Sequence, residues 1–434
     1  MPNSSSSLYD TLIIGAGAAG LAAGRTLVAA GQSILILEAR DRIGGRIWTD
    51  ENFAAFPIER GAELIHGEQT VTHDLLQAAG LQTLPAPRKP LLRWGTATGM
   101  ALIADLPPHL RQTMKALNAA YAQLPQQYNR ATDESLAAYF RRHGFDAAAL
   151  DMADVLFAQT CCASIETLSC ADLAREMTVD HAGLEEFRIR EGYGTLLNHY
   201  SQGLPLRLNQ PVQTIQWDEQ GVRVRAGHEV FQARHCMITV PVGVLQAGMI
   251  TFDPPLSAAK QAAIAAFRME AGTKLFYRFR APLWDETVAY VCHTGVMARW
   301  WTAGYPRPDA AVLCCYVTAD RARQVDALAE ADALQLGLDE LAILLNRPDV
   351  HEQCIAAQRI VWAHDPYARG AYAHIPPGEA AARPQLAAPE GDVLFFAGEA
   401  TAYETNPQTV HGAIESGWRA AQEVMASAVC TKSC

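Results

Sequence analysis

Glu38 stands alone at the end of a short apolar run, Ile34 to Leu37, eighteen residues beyond Gly20. Upstream, Gly15, Gly17 and Gly20 punctuate Gly15-Ala16-Gly17-Ala18-Ala19-Gly20, between the apolar Leu12-Ile13-Ile14 and a helix-like stretch, Leu21 to Ala30. Strand, glycine turn, helix, strand and acid follow each other in the order of a βαβ dinucleotide-binding unit. Gly15 permits the tight turn, Gly17 lets the backbone approach a pyrophosphate, and Gly20 lets helix and strand pack closely. The first helical turn, with Ala18 and Ala19, turns unpaired N–H groups toward the phosphates. Glu38 can accept hydrogen bonds from both ribose hydroxyls of an adenosine. This is chemistry of holding a cofactor.

Directly after Glu38 comes Ala39-Arg40-Asp41-Arg42-Ile43-Gly44-Gly45-Arg46. The second glycine pair can wrap the pyrophosphate from its far side, with Arg46 adding charge-assisted bonds. On its own this segment reads equally as a solvated turn. Joined to the first motif, it resembles the FAD-binding signature of the flavin amine oxidases, in which Ala39, Arg40, Gly44, Gly45 and Arg46 belong to the cofactor site. The resemblance implies an α/β protein: a Rossmann-like FAD-binding domain interleaved with an α+β substrate-binding domain.

Further stretches carry the same resemblance. Glu59 to Gly67 is similar to the segment that passes close to the flavin, which assigns Gly61, Ala62 and Glu63 to the cofactor. His66 falls where polyamine-oxidising members place a substrate-facing His or Glu; read alone, it is a surface loop histidine. Lys274 alternates against the face of Leu275, Tyr277 and Phe279. Taken alone such a lysine is solvated, whereas the resemblance places it near the flavin N5 edge, holding a water. Beside an apolar ring, desolvation is expected to disfavour its ammonium. Trp362 to Tyr372 resembles the block shared by polyamine oxidases and flavin histone demethylases. There Trp362 borders the flavin and Tyr372 forms an aromatic wall that orients an amine. Val212 matches the adenine-contacting strand, and Pro241 the return to the central sheet. Gly398 and Glu399 match the ribityl or pyrophosphate contact. Thr409 and Val410 open a helix aimed at the flavin pyrimidine ring, Thr409 replacing a second wall tyrosine. Ala371 stands where covalent members carry cysteine, so the FAD is expected to be non-covalent. The catalytic candidates are thus Lys274, Tyr372, His66, Trp362 and Thr409.

These residues need scaffolding on both sides. Helical periodicity is expected at Val71–Ala79, Leu110–Leu124, Leu136–Arg142 and Ala148–Phe157. Strands are expected at Leu206–Leu208, Val212–Trp217, Val222–Val224, Val230–Ala233 and His235–Val240, with another at Val393–Glu399. The resulting division gives residues 1–69, 203–271 and 389–434 to the FAD-binding domain. Residues 70–202, mainly helical, and 272–388 go to the substrate domain.

The 434 residues suit two interleaved domains. A net charge of −11 and a pI near 5.6 argue against nucleic acid or an anionic membrane as partner. They suit a cationic small molecule; the resemblance implies that it is an amine, with O2 as second substrate. No apolar run approaches the ~20 residues of a membrane span, and the polar Met1–Ser7 has no signal-peptide pattern. Ten cysteines show no metal spacing, and Cys161-Cys162 and Cys314-Cys315 read as buried thiols of a reducing, cytoplasmic compartment. No metal is expected, and the pattern suits a monomer or homodimer. The expected reaction is FAD-dependent oxidation of a polyamine or primary amine, yielding imine, aldehyde and H2O2. The alternatives are an L-amino-acid oxidase, with Arg93 or Arg299 clamping the carboxylate, another flavin dehydrogenase of this fold, or a non-catalytic FAD-binding scaffold.

Overall fold

The computed structural model describes residues 8–87, 91–128, 133–307 and 310–430. The Met1–Ser7 tail lies outside the described residues.

Leu8–Ile14 pairs in parallel with Ile34–Leu37 on one side and Glu229–Ile238 on the other. Leu12 and Ile13 are wholly buried, so this strand reads as a continuous apolar run, as covered parallel sheets do. It lies inside an eight-stranded sheet. Leu206–Arg207 extends one edge in parallel. The other side holds the antiparallel strands Gly221–Ala226 and Val212–Asp218, and then Thr251–Asp253. Leu394–Phe396 pairs in parallel with the end of Glu229–Ile238.

That last strand corrects the sequence reading, which split it in two. Its first half alternates between exposed and buried residues against the antiparallel neighbour, and its second half is buried throughout between two parallel strands. The change of period imitates a break.

The helix Ala18–Ala29 packs on Val410–Cys430, where a Cβ at Gly417 would collide with the Ala19 carbonyl. Val71–Ala79 and Tyr193–Ser201 add Leu76, Tyr193, Leu196 and Leu197 to the same core.

A second sheet of seven strands runs in the order Cys354–Val361, Gly272–Phe279, Val312–Thr318, Arg299–Thr302, Tyr290–Cys292, Leu92–Thr96, Gly99–Leu102. Gly272–Phe279 is thus an interior strand, antiparallel to both neighbours. Beside it the helices Pro108–Tyr121, Leu136–Arg142, Ala147–Leu156 and Cys170–Val179 share a separate core. Ser135, Asp146 and Ser169 cap three of them through their side chains. The helix expected through Leu124 stops at Tyr121, and a short helix restarts at Leu124 with Pro125 in its first turn.

Candidate active site

The two glycine turns stand face to face. Gly15 takes φ +108°, and Gly44 and Gly45 take +99° and +59°, backbone that side chains rarely adopt. Gly17 and Gly44 form a parallel bridge, and the Gly44 N–H donates to the Ala16 carbonyl at 2.8 Å. Arg42 donates to the carbonyls of Ile43, Gly45 and Ile47, bracing the second turn from behind. Burial first, and Arg40 next, lower its pKa to about 10.

Gly17 differs from the others. Its φ is −78°, and an added Cβ would meet nothing nearer than the Gly44 carbonyl oxygen at 3.9 Å. Neither conformation nor packing within the chain requires glycine here, so the open side suits an occupant from outside. Glu38 fits the same occupant. It is buried at the end of Ile34–Leu37, with one oxygen accepting from Ala16 N–H at 2.8 Å and the other from Arg40 N–H at 2.9 Å. Each carboxylate oxygen retains a further lone pair. Arg40 itself turns to Asp365 and lies over Tyr367, leaving backbone toward the cradle.

Gly17→Ala should therefore leave the fold intact and weaken FAD by roughly tenfold or more, about 1.4 kcal/mol. Melting of the apoprotein and the flavin-to-protein absorbance ratio check both halves.

Arg46 ties the cradle to the far end of the chain. Its Nη1 donates to Glu399 Oε1 at 2.8 Å and to the Ala371 carbonyl at 2.7 Å. Glu399 is buried, and its Oε2 has no partner, a second group left for an occupant to satisfy. A side chain at Gly61 would strike the Arg46 carbonyl, which also accepts from Ala62 N–H at 3.1 Å. Gly398 takes φ +131° and donates to Ser416 Oγ at 2.9 Å.

Trp362 is buried, donates to the Arg60 carbonyl at 3.0 Å, and meets Trp48 edge to face at 6.4 Å. Tyr372, Ala371 and Cys162 complete this cluster. Thr409 Oγ1 accepts from Gly412 N–H at 3.0 Å and donates to the Asn406 carbonyl at 2.8 Å. Its hydroxyl caps the helix that starts at Val410, a job separate from any aromatic wall. Pro241 leads into the short helix Val242–Gln246, and Val212 begins its strand opposite Ala226.

Lys274 is buried, with Nζ donating to the Glu59 carbonyl at 2.8 Å and Glu63 Oε2 at 2.9 Å. Glu63 Oε1 accepts from Arg188 Nε and from Trp301 Nε1, both at 2.9 Å. The Trp301 ring centre lies 5.1 Å from the ammonium. Burial is the largest single influence and pulls the Lys274 pKa down, but the opposing groups, Glu63 foremost, together carry it above its ordinary 10.5. The expectation of a disfavoured ammonium is corrected: a buried counter-charge reverses desolvation. Glu63 ends below its ordinary value, Lys274 and Arg188 overcoming burial. Its carboxylate is thus bonded to three side chains of this cluster. Burial raises Glu59 to about 7, against bonds from Tyr193 N–H and Thr49 Oγ1. Tyr372 is raised by burial, with Lys274 opposing it, so its phenol is neutral.

Sequence reasoning missed Arg188 and Trp301. They lie 125 and 238 residues from Glu63, and no local pattern announces such partners. His66 takes no part in the hydrogen bonds of the Lys274 cluster. It is half exposed, pairs with Glu186 at 3.2 Å, and sits near His411. Arg93 pairs with Asp285, and buried Arg299 donates to the Val155 carbonyl at 3.3 Å.

Residues 18–425 match the profile of the family described as flavin containing amine oxidoreductase. The chain belongs to that family, and so is an FAD-dependent oxidoreductase acting on amine donors. It is 29% identical to polyamine oxidase 4 of Oryza sativa subsp. japonica, covering 95% of this chain and 88% of that one. It is 27% identical to human lysine-specific histone demethylase 2, covering 96% of this chain but only 53% of the demethylase. A putrescine oxidase structure superposes with a TM-score of 0.84 at 23% identity, covering 96% of this chain and 99% of that one. Cyclohexylamine oxidase from Brevibacterium oxydans gives 0.84 at 22%, covering 97% and 99%. The two-domain amine oxidase fold is common to all three chains. No helix among the described residues is long and apolar enough to cross a membrane.

Proposed function

We propose that the chain oxidises the C–N bond of a polyamine or primary amine to an imine, which water hydrolyses to an aldehyde, with O2 reduced to H2O2. The observation that carries this reading is the buried Lys274–Glu63 pair, braced by Arg188 and Trp301 and electrostatically coupled to Tyr372. Bound flavin supplies the two-electron acceptor for the hydrogen on the carbon next to nitrogen. Tyr372 and Trp362 offer aromatic surface that orients an amine. The closely packed cluster around Trp362 keeps water from that side. The amine must arrive there deprotonated, because an ammonium nitrogen has no lone pair to support the forming iminium. Lys274 keeps its charge and one N–H beyond those given to Glu59 and Glu63, enough to hold a water or a developing negative charge.

Polyamines come first, supported by the acidic chain and the polyamine oxidase relatives. The pairing of Arg93 and the burial of Arg299 weigh against an amino-acid carboxylate. The demethylase relatives supply the second reading, a methylated lysine side chain. Ala371 provides no thiolate, so FAD is held non-covalently. The chain acts as a monomer or homodimer in the cytoplasm, consistent with its free thiols at Cys162, Cys314 and Cys315.

Anaerobic mixing with polyamines, monoamines, methylated lysine peptide and amino acids tests the reading through the visible flavin band. Bleaching by polyamines is the expected outcome. Bleaching by amino acids alone, or by nothing, overturns it. Acid denaturation of the same sample should release all flavin; flavin that stays with the polypeptide would contradict non-covalent attachment.

A further inference from the structure

A cavity of about 370 Å³ opens beside the first turns of the helix Val410–Cys430, and no residue of the glycine helix lines it. His411 and Glu415 line it one helical turn apart, with Glu404 and Thr405 of the preceding loop and Thr70. The volume falls in the range of small-ligand sites. His411 and Thr70 are each 5% exposed. His411 Nε2, Thr70 Oγ1 and Thr405 Oγ1 are buried without a hydrogen-bond partner, three polar groups that the chain leaves unsatisfied at one place.

The charge of the lining selects the ligand. Burial, with His66 nearby, lowers the His411 pKa to about 4, so its ring is neutral and keeps an acceptor nitrogen. Asp180 also faces that ring. Glu404 and Glu415 enter no ion pair among the described residues, while Arg419 spends its guanidinium on Glu423 and the carbonyls of Ala387 and Phe396. His181 lines the rim. No group of three His, Cys, Asp or Glu able to hold a metal occurs among the described residues. A cation suited to this lining is therefore organic, with several N–H donors.

We propose that this cavity is a second amine-binding site, taking the terminal ammonium of a di- or polyamine between Glu404 and Glu415, beside the unpaired acceptors of His411, Thr70 and Thr405. The ligand class rests on the amine-oxidase reading above; the site itself does not.

Calorimetric titration of 1,4-diaminobutane into the FAD-loaded protein, reduced and kept anaerobic so that no turnover occurs, tests it. Two binding sites are expected. The double variant Glu404→Gln, Glu415→Gln should weaken one of them by roughly tenfold or more and still let the amine bleach oxidised flavin. In protein carrying 13C-labelled histidine, the His411 signal, identified with His411→Asn, should move over the same concentrations. A single site in the unsubstituted protein, two sites unaltered by the double variant, or a stationary His411 signal would overturn the proposal. Failure of every amine to bleach the flavin would instead count against the oxidase reading; one site is then expected, and its weakening by the double variant decides the cavity.

Discussion

Lys274→Met is expected to slow reoxidation of the reduced flavin by O2, or its reduction by amine, by roughly 10²-fold, with FAD still bound. Methionine keeps the length and apolar bulk of the stem and removes only the ammonium. Glu63 would lose one of its partners but keep Arg188 and Trp301, so its carboxylate is not orphaned. The fold should therefore survive, although breaking a buried pair costs about 3–5 kcal/mol where no such backup exists. Stopped-flow traces of both half-reactions, beside a flavin-to-protein ratio, decide the matter. Unaltered rates in both would remove Lys274 from the site. Glu63→Gln sharpens the test. Without that carboxylate, burial, already the largest influence on Lys274, loses its foremost opponent, and the pKa must fall. The alkaline fall in rate should then begin at lower pH than in the unsubstituted enzyme. A merely structural Glu63 would leave the pH profile where it was.

The second large effect lies in stability. Glu59 has an ordinary carboxyl pKa of 4.5 when unfolded and about 7 when folded. Between those values the unfolded chain gives up its proton while the folded protein retains it. Stability therefore falls as pH rises through this window, by about 3 kcal/mol in all. Glu59→Gln should abolish that fall, since the amide can still accept from Tyr193 N–H and donate to Thr49 Oγ1. Glu176 is raised to about 7 by burial and would act in the same sense, but it is present in both proteins and cancels. Buried His293, lowered to about 4, works in the opposite sense below its ordinary 6.5, and it cancels too. Urea unfolding at pH 5 and pH 8 reads the difference. Parallel shifts of the two proteins would mean that Glu59 is already ionised in the folded state.

What the sequence shows and what it hides divide along one physical line. The glycine turn, Glu38, and the helices Val71–Ala79 and Leu136–Arg142 are local, written in backbone conformation and in a 3.6-residue period, and they appear where expected. The alternation that set Lys274 against Leu275, Tyr277 and Phe279 is local too. Its charge state is not. That depends on Glu63, Arg188 and Trp301 converging from three distant segments, and desolvation alone suggested the wrong sign. The helix expected to open at Thr409 and Val410 is local as well, and it begins at Val410 under the Thr409 hydroxyl. His66 shows a second limit, because the period of a two-residue strand, Ile65–His66, says little about which face will be covered.

Arg46 meets Glu399 across 353 residues of chain, and the helix Ala18–Ala29 rests on Val410–Cys430. On a ribosome adding about 5–20 residues each second, these partners emerge roughly twenty to seventy seconds apart. Throughout that interval the part of the glycine helix that Val410–Cys430 will cover stays bare, a natural client for chaperones. The nucleotide fingerprint is thus translated early and closed late. A nascent chain stalled before Glu399 carries the glycine turns without the carboxylate that Arg46 meets in the finished fold.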